Sequence, residues 1–231
     1  MHNFGRLVPA VCFTVFLAFG PTSASTNGAD LSRYRKFQLG AELSTVVKQA
    51  GADATDVKVI HRRPALIQEF EWRPQSLGAI SRVEAAKQVV FRFYDGRLFR
   101  IAINYDRYDI EGLTTDDLLD AISGTYGKAN KPATPIEMPP GQYGDKEEIL
   151  AQWQDSQYCF ELIRSSYGPD YKLVGTLKSL QEPARSAMIE AARLDAKEAP
   201  QRDAERIATE DATERIKLEK ARLVNKPKFR P

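Results

Sequence analysis

The chain has 231 residues, of which 33 are Lys or Arg and 31 are Asp or Glu, giving a formal net charge of +2 with histidines neutral. So even a balance excludes the strong cationic bias that domains use to meet nucleic-acid phosphate, and no partner of that kind is expected. Aromatic residues make up 10% of the chain and charged residues 28%, a composition that can bury a sizeable core.

The first 24 residues read as an export signal. Arg6 supplies the positive start and residues 7–19 are predominantly apolar. Gly20-Pro21 breaks the run, and Thr22-Ser23-Ala24 offers small residues for cleavage after Ala24. An apolar run of about thirteen residues is too short to span a bilayer as a helix, and no later stretch resembles a span. Cys12 lies inside the apolar run and not at its end, against a lipoprotein cleavage site. The exported product then keeps a single cysteine, Cys159, so its core must hold without an internal disulfide. Cys159 lies between Tyr158 and Phe160 in an apparent strand, where a buried, inert thiol is expected.

Residues 25–36 are polar and read as a loosely ordered N-terminal segment. Within 37–50, Leu39, Leu43, Val46 and Val47 fall at helical spacing, and Gly51 is a natural stop. Strands are expected at 57–60 and at 66–72, with a loop over 75–86.

The stretch 88–105, QVVFRFYDGRLFRIAINY, reads as a hairpin turning at Asp95-Gly96. A two-residue turn without a bulge would mix apolar and charged residues on each face. A three-residue loop Tyr94-Asp95-Gly96 with a G1 bulge sets Phe91 opposite Phe99 and Val89 opposite Ile101, and that register is the favoured one. It turns Val89, Phe91, Phe93, Phe99, Ile101, Ile103 and Tyr105 to one face. Val90, Arg92, Leu98, Arg100, Ala102 and Asn104 take the other. Of these, Arg92, Leu98, Arg100 and Asn104 are the candidate partner-facing residues.

Beyond the hairpin, Thr114 and Asp117 have the spacing of a capping box, opening a helix whose inner stripe is Leu118, Leu119, Ile122 and Tyr126 and which Gly127 ends. A proline-rich connection follows at 131–144. A second hairpin is expected at 148–153 and 158–163, and a further strand at 171–180. The two halves, about 37–105 and 112–180, repeat one order of parts: a glycine-bounded helix, a strand ending in Trp72 or Trp153, then two more strands. The expected fold class is therefore α+β, an antiparallel sheet with short helices on one face. Residues 181–223 are rich in Ala, Glu, Lys and Arg and read as a charged helix, kinked or split at Pro200, with i,i+4 pairs such as Glu198 with Arg202 and Arg206 with Glu210. Residues 224–231 read as a disordered tail.

A glycine-led short helix, a tryptophan-ended strand and a Phe-Tyr-Asp-Gly-Arg-Leu hairpin together resemble the small envelope modules of the SmpA/OmlA (BamE) kind. Those share a fold with secreted β-lactamase-inhibitor proteins that carry the module twice. The resemblance covers about residues 37–180. It implies a sheet flanked by helices on one face and a protein–protein role in the cell envelope.

Chemistry-bearing motifs are few. Once the signal is gone His61 is the only histidine, so no histidine pair exists for zinc and any Ser-His-Asp triad would have to use it. The stretch 124–128 lacks the spacing of a phosphate loop, and the acids from Asp106 to Asp120 do not match a calcium loop. No catalytic, cofactor or metal-ligating residue is assigned. The expected function is a non-enzymatic, exported binding module with an unknown protein partner in the envelope. A structural or assembly accessory and an unrecognised hydrolase are the alternatives.

Overall fold

The computed structural model describes residues 29–74, 85–132, 136–137, 147–165 and 170–230. The expected signal, most of the loop at 75–86 and most of the connection at 131–144 fall outside them. The architecture is α+β. In chain order come β1 (Arg33–Tyr34), β2 (Phe37–Gln38), α1 (Leu43–Ala50), β3 (Val57–His61), β4 (Ile67–Trp72), β5 (Ala86–Tyr94) and β6 (Arg97–Tyr105). The second half supplies α2 (Thr115–Tyr126), β7 (Ile136–Glu137), β8 (Glu147–Gln154), β9 (Tyr158–Ser165), β10 (Tyr171–Leu177) and α3 (Lys178–Asn225).

β1 and β2 form a small ribbon, and the other eight strands form one sheet in the order β3-β4-β5-β6-β10-β9-β8-β7. Every pair in it is antiparallel. Each half of the chain thus makes a helix and then a meander, and β6 joins the two meanders by pairing with β10, from Lys172 opposite Asn104 to Thr176 opposite Arg100.

The core lies between one face of the sheet and the helices α1 and α2. Phe70, Trp72, Val89, Phe91, Phe93, Ile101, Ile103, Trp153, Phe160 and Leu162 point into it from alternate strand positions, as the period of two requires. α2 begins with the expected capping box, in which Asp117 N–H donates to Thr114 Oγ1 and Thr114 N–H to Asp117 Oδ2. Its expected inner stripe of Leu118, Leu119, Ile122 and Tyr126 is buried. Trp153 Nε1 donates at 3.0 Å to the carbonyl of Gly127, the residue that ends α2, and so ties the helix to β8. Phe37 meets Trp72 edge-on at 5.1 Å and lies 4.7 Å from Phe91.

Several expectations need correction. The segment 25–36 is not loosely ordered over its described part. Leu31 and Tyr34 are buried beside Phe37 and Leu39, and Tyr126 Oη donates to the Arg33 carbonyl at 3.2 Å. Two apolar anchors among polar residues are enough to hold a ribbon whose average composition is hydrophilic. The helix expected within 37–50 starts only at Leu43, because residues 40–43 bond to β6 instead: Gly40 N–H to Leu98 O, Leu98 N–H to Ala41 O and Leu43 N–H to Gly96 O.

That same contact explains the hairpin. Asp95 and Gly96 have φ of 47° and 77°, and Tyr94 pairs directly with Arg97, so the turn is a two-residue loop of the type I′ kind, not the three-residue loop with a G1 bulge. The extra residue falls at Phe99, between Phe93 opposite Leu98 and Arg92 opposite Arg100. At this bulge β6 leaves β10 and pairs with the segment around Gly40. The consequence is an exchange of neighbours. Leu98 is fully buried in the main core, and Phe99 is buried outside that cluster. The other inward residues stand as expected, with Tyr105 partly buried against the core.

α3 also differs. It starts directly after β10 at Lys178 and runs as one helix to Asn225 without splitting at Pro200. The carbonyl of Ala196, which loses its donor to Pro200, is on an exposed residue where water can satisfy it. Of the expected intrahelical pairs, Arg206 to Glu210 forms at 3.0 Å, whereas Glu198 binds Arg63 and Arg202 reaches Asp195. Lys226–Lys228 adds a short 3-10 turn where a disordered tail was expected.

Gly175 shows how tightly the core is filled. A Cβ there would stand 2.5 Å from the Phe160 ring, which itself stacks on Tyr126 at 4.4 Å. Gly175→Ala is expected to destabilise the protein by about 1–3 kcal/mol through overpacking. Gly124→Ala, on the open side of α2 with nothing within 4 Å, should stabilise it by about 0.5–1 kcal/mol. Urea unfolding of the two variants checks both signs.

Candidate functional site

The face of the sheet turned away from α1 and α2 carries a different population. Alternation along the strands puts Lys58, Glu69, Glu71, Gln88, Arg92, Arg100, Asn104, Glu161 and Lys172 on it, as cross-strand neighbours of one another. They are joined by side-chain bonds that run across the strands. Lys58 Nζ binds Glu71 Oε1 at 3.0 Å, Gln88 Nε2 binds Glu71 Oε2 at 2.9 Å, and Arg92 Nε binds Glu69 Oε2 at 2.9 Å. Gln152 Nε2 donates to Glu161 at 2.8 Å, and Lys172 Nζ to Glu147 at 2.5 Å. The hydrogen bond from Lys58 holds the Glu71 carboxyl below its ordinary value.

α3 covers part of this face. It packs against β6 and β10 through a stripe of buried Ala184, Ala187 and Ala191. Small side chains let the helix backbone come close to the sheet, and Thr176 beneath it is buried. Farther along, Asp195 comes within 3.8 Å of His61 and Glu198 pairs with Arg63, so the helix is pinned to the β3–β4 connection as well. On the other flank, Ile149, Ile163 and Val174 form a small apolar cluster with Ala102 against it.

Beside that cluster, over β5, β6 and β10, lies a depression of about 190 Å³ lined by Val90, Arg92, Arg100, Ala102, Asn104 and Lys172. Three of the four residues expected to face a partner, Arg92, Arg100 and Asn104, come together here. The fourth, Leu98, does not: the bulge at Phe99 reverses the alternation, and Leu98 fills the core. Lys172 was missed. Nothing local to β10 marks it, and only the pairing of β10 with β6 brings it opposite Asn104.

The cations of this depression are not equally satisfied. Arg92 has Glu69, and Lys172 has Glu147. Arg100 makes no ion pair and no hydrogen bond among the described residues, and it stands directly across the ladder from Arg92. Burial and then the Arg92 charge oppose its own, pushing its pKa down, while Glu161 and Glu147 act on it only through space. A guanidinium stays protonated even so. The site therefore holds a fixed, half-buried positive charge whose five donors lack a partner among the described residues, with Val90 and Ala102 beside it.

Other candidates carry less. Cys159 lies on β9 and is half-buried, and burial pushes its thiol up to about 11. Asp117 is occupied in the helix cap and Asp116 pairs with Lys131 at 2.8 Å. Among the described residues no three His, Cys, Asp or Glu side chains converge as a metal site would need, and no helix is long and apolar enough to cross a membrane.

Two outcomes follow. Arg100→Met should raise stability by roughly 0.2–1 kcal/mol, since it removes a like charge from a cross-strand pair, and equilibrium unfolding in urea will show whether the midpoint moves up. Cys159 should react with an alkylating reagent at neutral pH more than ~100-fold slower than an unperturbed thiol, with the rate climbing about tenfold per pH unit as pH rises toward the raised pKa. No protein-family model, no curated protein and no solved structure matches this chain.

Proposed function

We propose that the protein is exported and works, without catalysing a reaction, as a protein-binding module of the cell envelope. The observation that carries this reading is the second sheet face: a bonded polar grid that α3 covers only in part, with a half-buried arginine that has no partner among the described residues lining an open depression. A face evolved for solvent alone has no need of a half-buried, unpaired charge, and such locally unfavourable residues are retained where they serve recognition. The signal-like first 24 residues support export, and the low reactivity expected of Cys159 suits an oxidising compartment.

The strand order supports reading residues 37–105 and 112–180 as a duplicated unit, a helix followed by a meander, with the seam between β6 and β10. On that reading the chain is a tandem module similar to the SmpA/OmlA kind, and the second face is the surface such a module would present to a partner. The end of α3 favours a second reading, an assembly accessory. From Gln201 onward every described residue except Ala212 is exposed, including Ile207, Ile216, Leu218 and Leu223. That arm of about 25 residues, some 37 Å at 1.5 Å per residue, could bridge to a neighbour.

Affinity capture from intact envelope distinguishes these readings. Three forms are compared: the whole chain, a form truncated after Pro200, and the whole chain with Arg100→Met and Lys172→Met. The module reading expects the double substitution to lower recovery of a specific partner at least tenfold while truncation leaves it. The reverse pattern would transfer the role to the arm. The exported product should begin at Ser25 by intact mass, and a product that keeps Met1 would contradict export.

A further inference from the structure

We propose that the depression over β5, β6 and β10 on the outer sheet face is a receptor for one carboxylate, presented by an acidic side chain of the protein partner. The inference rests on the binding-module reading and gives it a chemistry. Arg100 supplies the planar fork that matches a carboxylate with two parallel N–H donors. Asn104 lies four residues along the same strand, on the same face. Among the described residues its side-chain amide is engaged only by a 3.5 Å contact to Gln88, so it has donor capacity to spare. Lys172 adds an ammonium from the neighbouring strand, directly opposite Asn104. All three line the same depression, and among the described residues no carboxylate does: Glu69 and Glu147 are taken up by Arg92 and Lys172, and Glu161 accepts from Gln152.

Size and charge narrow the occupant. A space of about 190 Å³ is below the ~300–1,000 Å³ of sites that enclose a whole small-molecule ligand. It accommodates the end of an Asp or Glu side chain whose backbone stays outside. Of the facing arginines on β5 and β6 only Arg92 has a carboxylate, Glu69, so an incoming acid relieves a like-charge pair and gives Arg100 the partner it lacks among the described residues. Val90 and Ala102 on the lining keep the contact partly dry, and that raises the value of a charge-assisted bond over one at an open surface.

The test uses the whole exported chain and two short blocked peptides, acetyl-Gly-Glu-Gly-amide and its Gln counterpart, titrated at constant ionic strength and followed by amide NMR. Sodium phosphate forms a third arm. The expected result is saturable movement of the Ala102, Asn104 and Val174 amides with the Glu peptide. The Gln peptide should bind at least tenfold more weakly, and Arg100→Met, a variant expected to be folded and no less stable, should lose the preference. Equal responses to both peptides, no saturation, or movement confined to other strands would overturn the proposal. Phosphate saturating the same amides more tightly than the Glu peptide would assign the depression to a free oxyanion and overturn the polypeptide source. Partner capture that survives while the Glu preference is absent removes this chemistry and leaves the module reading in place.

Discussion

The pairing of β6 with β10 is the interaction on which the rest of the structure depends. Five consecutive residue pairs, Lys172 opposite Asn104 through Thr176 opposite Arg100, join two meanders that are far apart in sequence into one sheet. Neither meander alone would bury the shared core. Phe91 and Ile101 come from the first half, Phe160 and Leu173 from the second, and all four lie in one cluster. The seam also sets where the chain leaves the sheet. β10 ends at Leu177 where β6 has already bulged away at Phe99, and α3 starts from that point across the second face. Asn104 and Lys172, which line the depression from opposite halves of the chain, are neighbours only because the seam exists.

The two faces of this sheet are organised by different physics. The inner face is held by apolar burial at close packing, tight enough that Gly175 has no room for a methyl group under Phe160. The outer face is held by cross-strand hydrogen bonds between charged and amide side chains and is only half covered by a helix that contributes small alanines. A helix docked through alanine leaves more of the sheet open than one docked through leucine. Asp195 and Glu198 anchor the helix farther along, at His61 and Arg63. The remainder of α3 extends beyond the domain as a charged helix with scattered apolar residues.

Local signals in the sequence reported local structure well. The capping box at Thr114 and Asp117, the stripe of Leu118, Leu119, Ile122 and Tyr126, and the alternation in β5 each need only a few neighbouring residues to be read, and each is found as expected. The hairpin was half legible. Asp95-Gly96 marked the turn, but a type I′ turn followed by a bulge at Phe99 combines two devices, and the bulge is imposed by residues 40–43, more than fifty positions away. One inserted residue was enough to exchange Leu98 and Phe99 between environments, which removed Leu98 from the partner face. Arg92, Arg100 and Asn104 were legible because they alternate on one strand pair. Lys172 was not, since its place depends on a long-range pairing that β10's own residues do not encode. The continuity of α3 through Pro200 was hidden for a related reason: a proline is tolerated where the orphaned carbonyl faces water, and exposure is a property of the fold.

Native-state hydrogen exchange tests the seam most directly. If β6 and β10 unite the halves into one cooperative unit, the amides of Ile101 and Ile103 on β6 and of Leu173 and Val174 on β10 will exchange only through global unfolding. They will share one free energy and one denaturant dependence. Protection of the β6 amides while those of β10 exchange through a smaller opening would show that the meanders unfold independently, and would contradict the account.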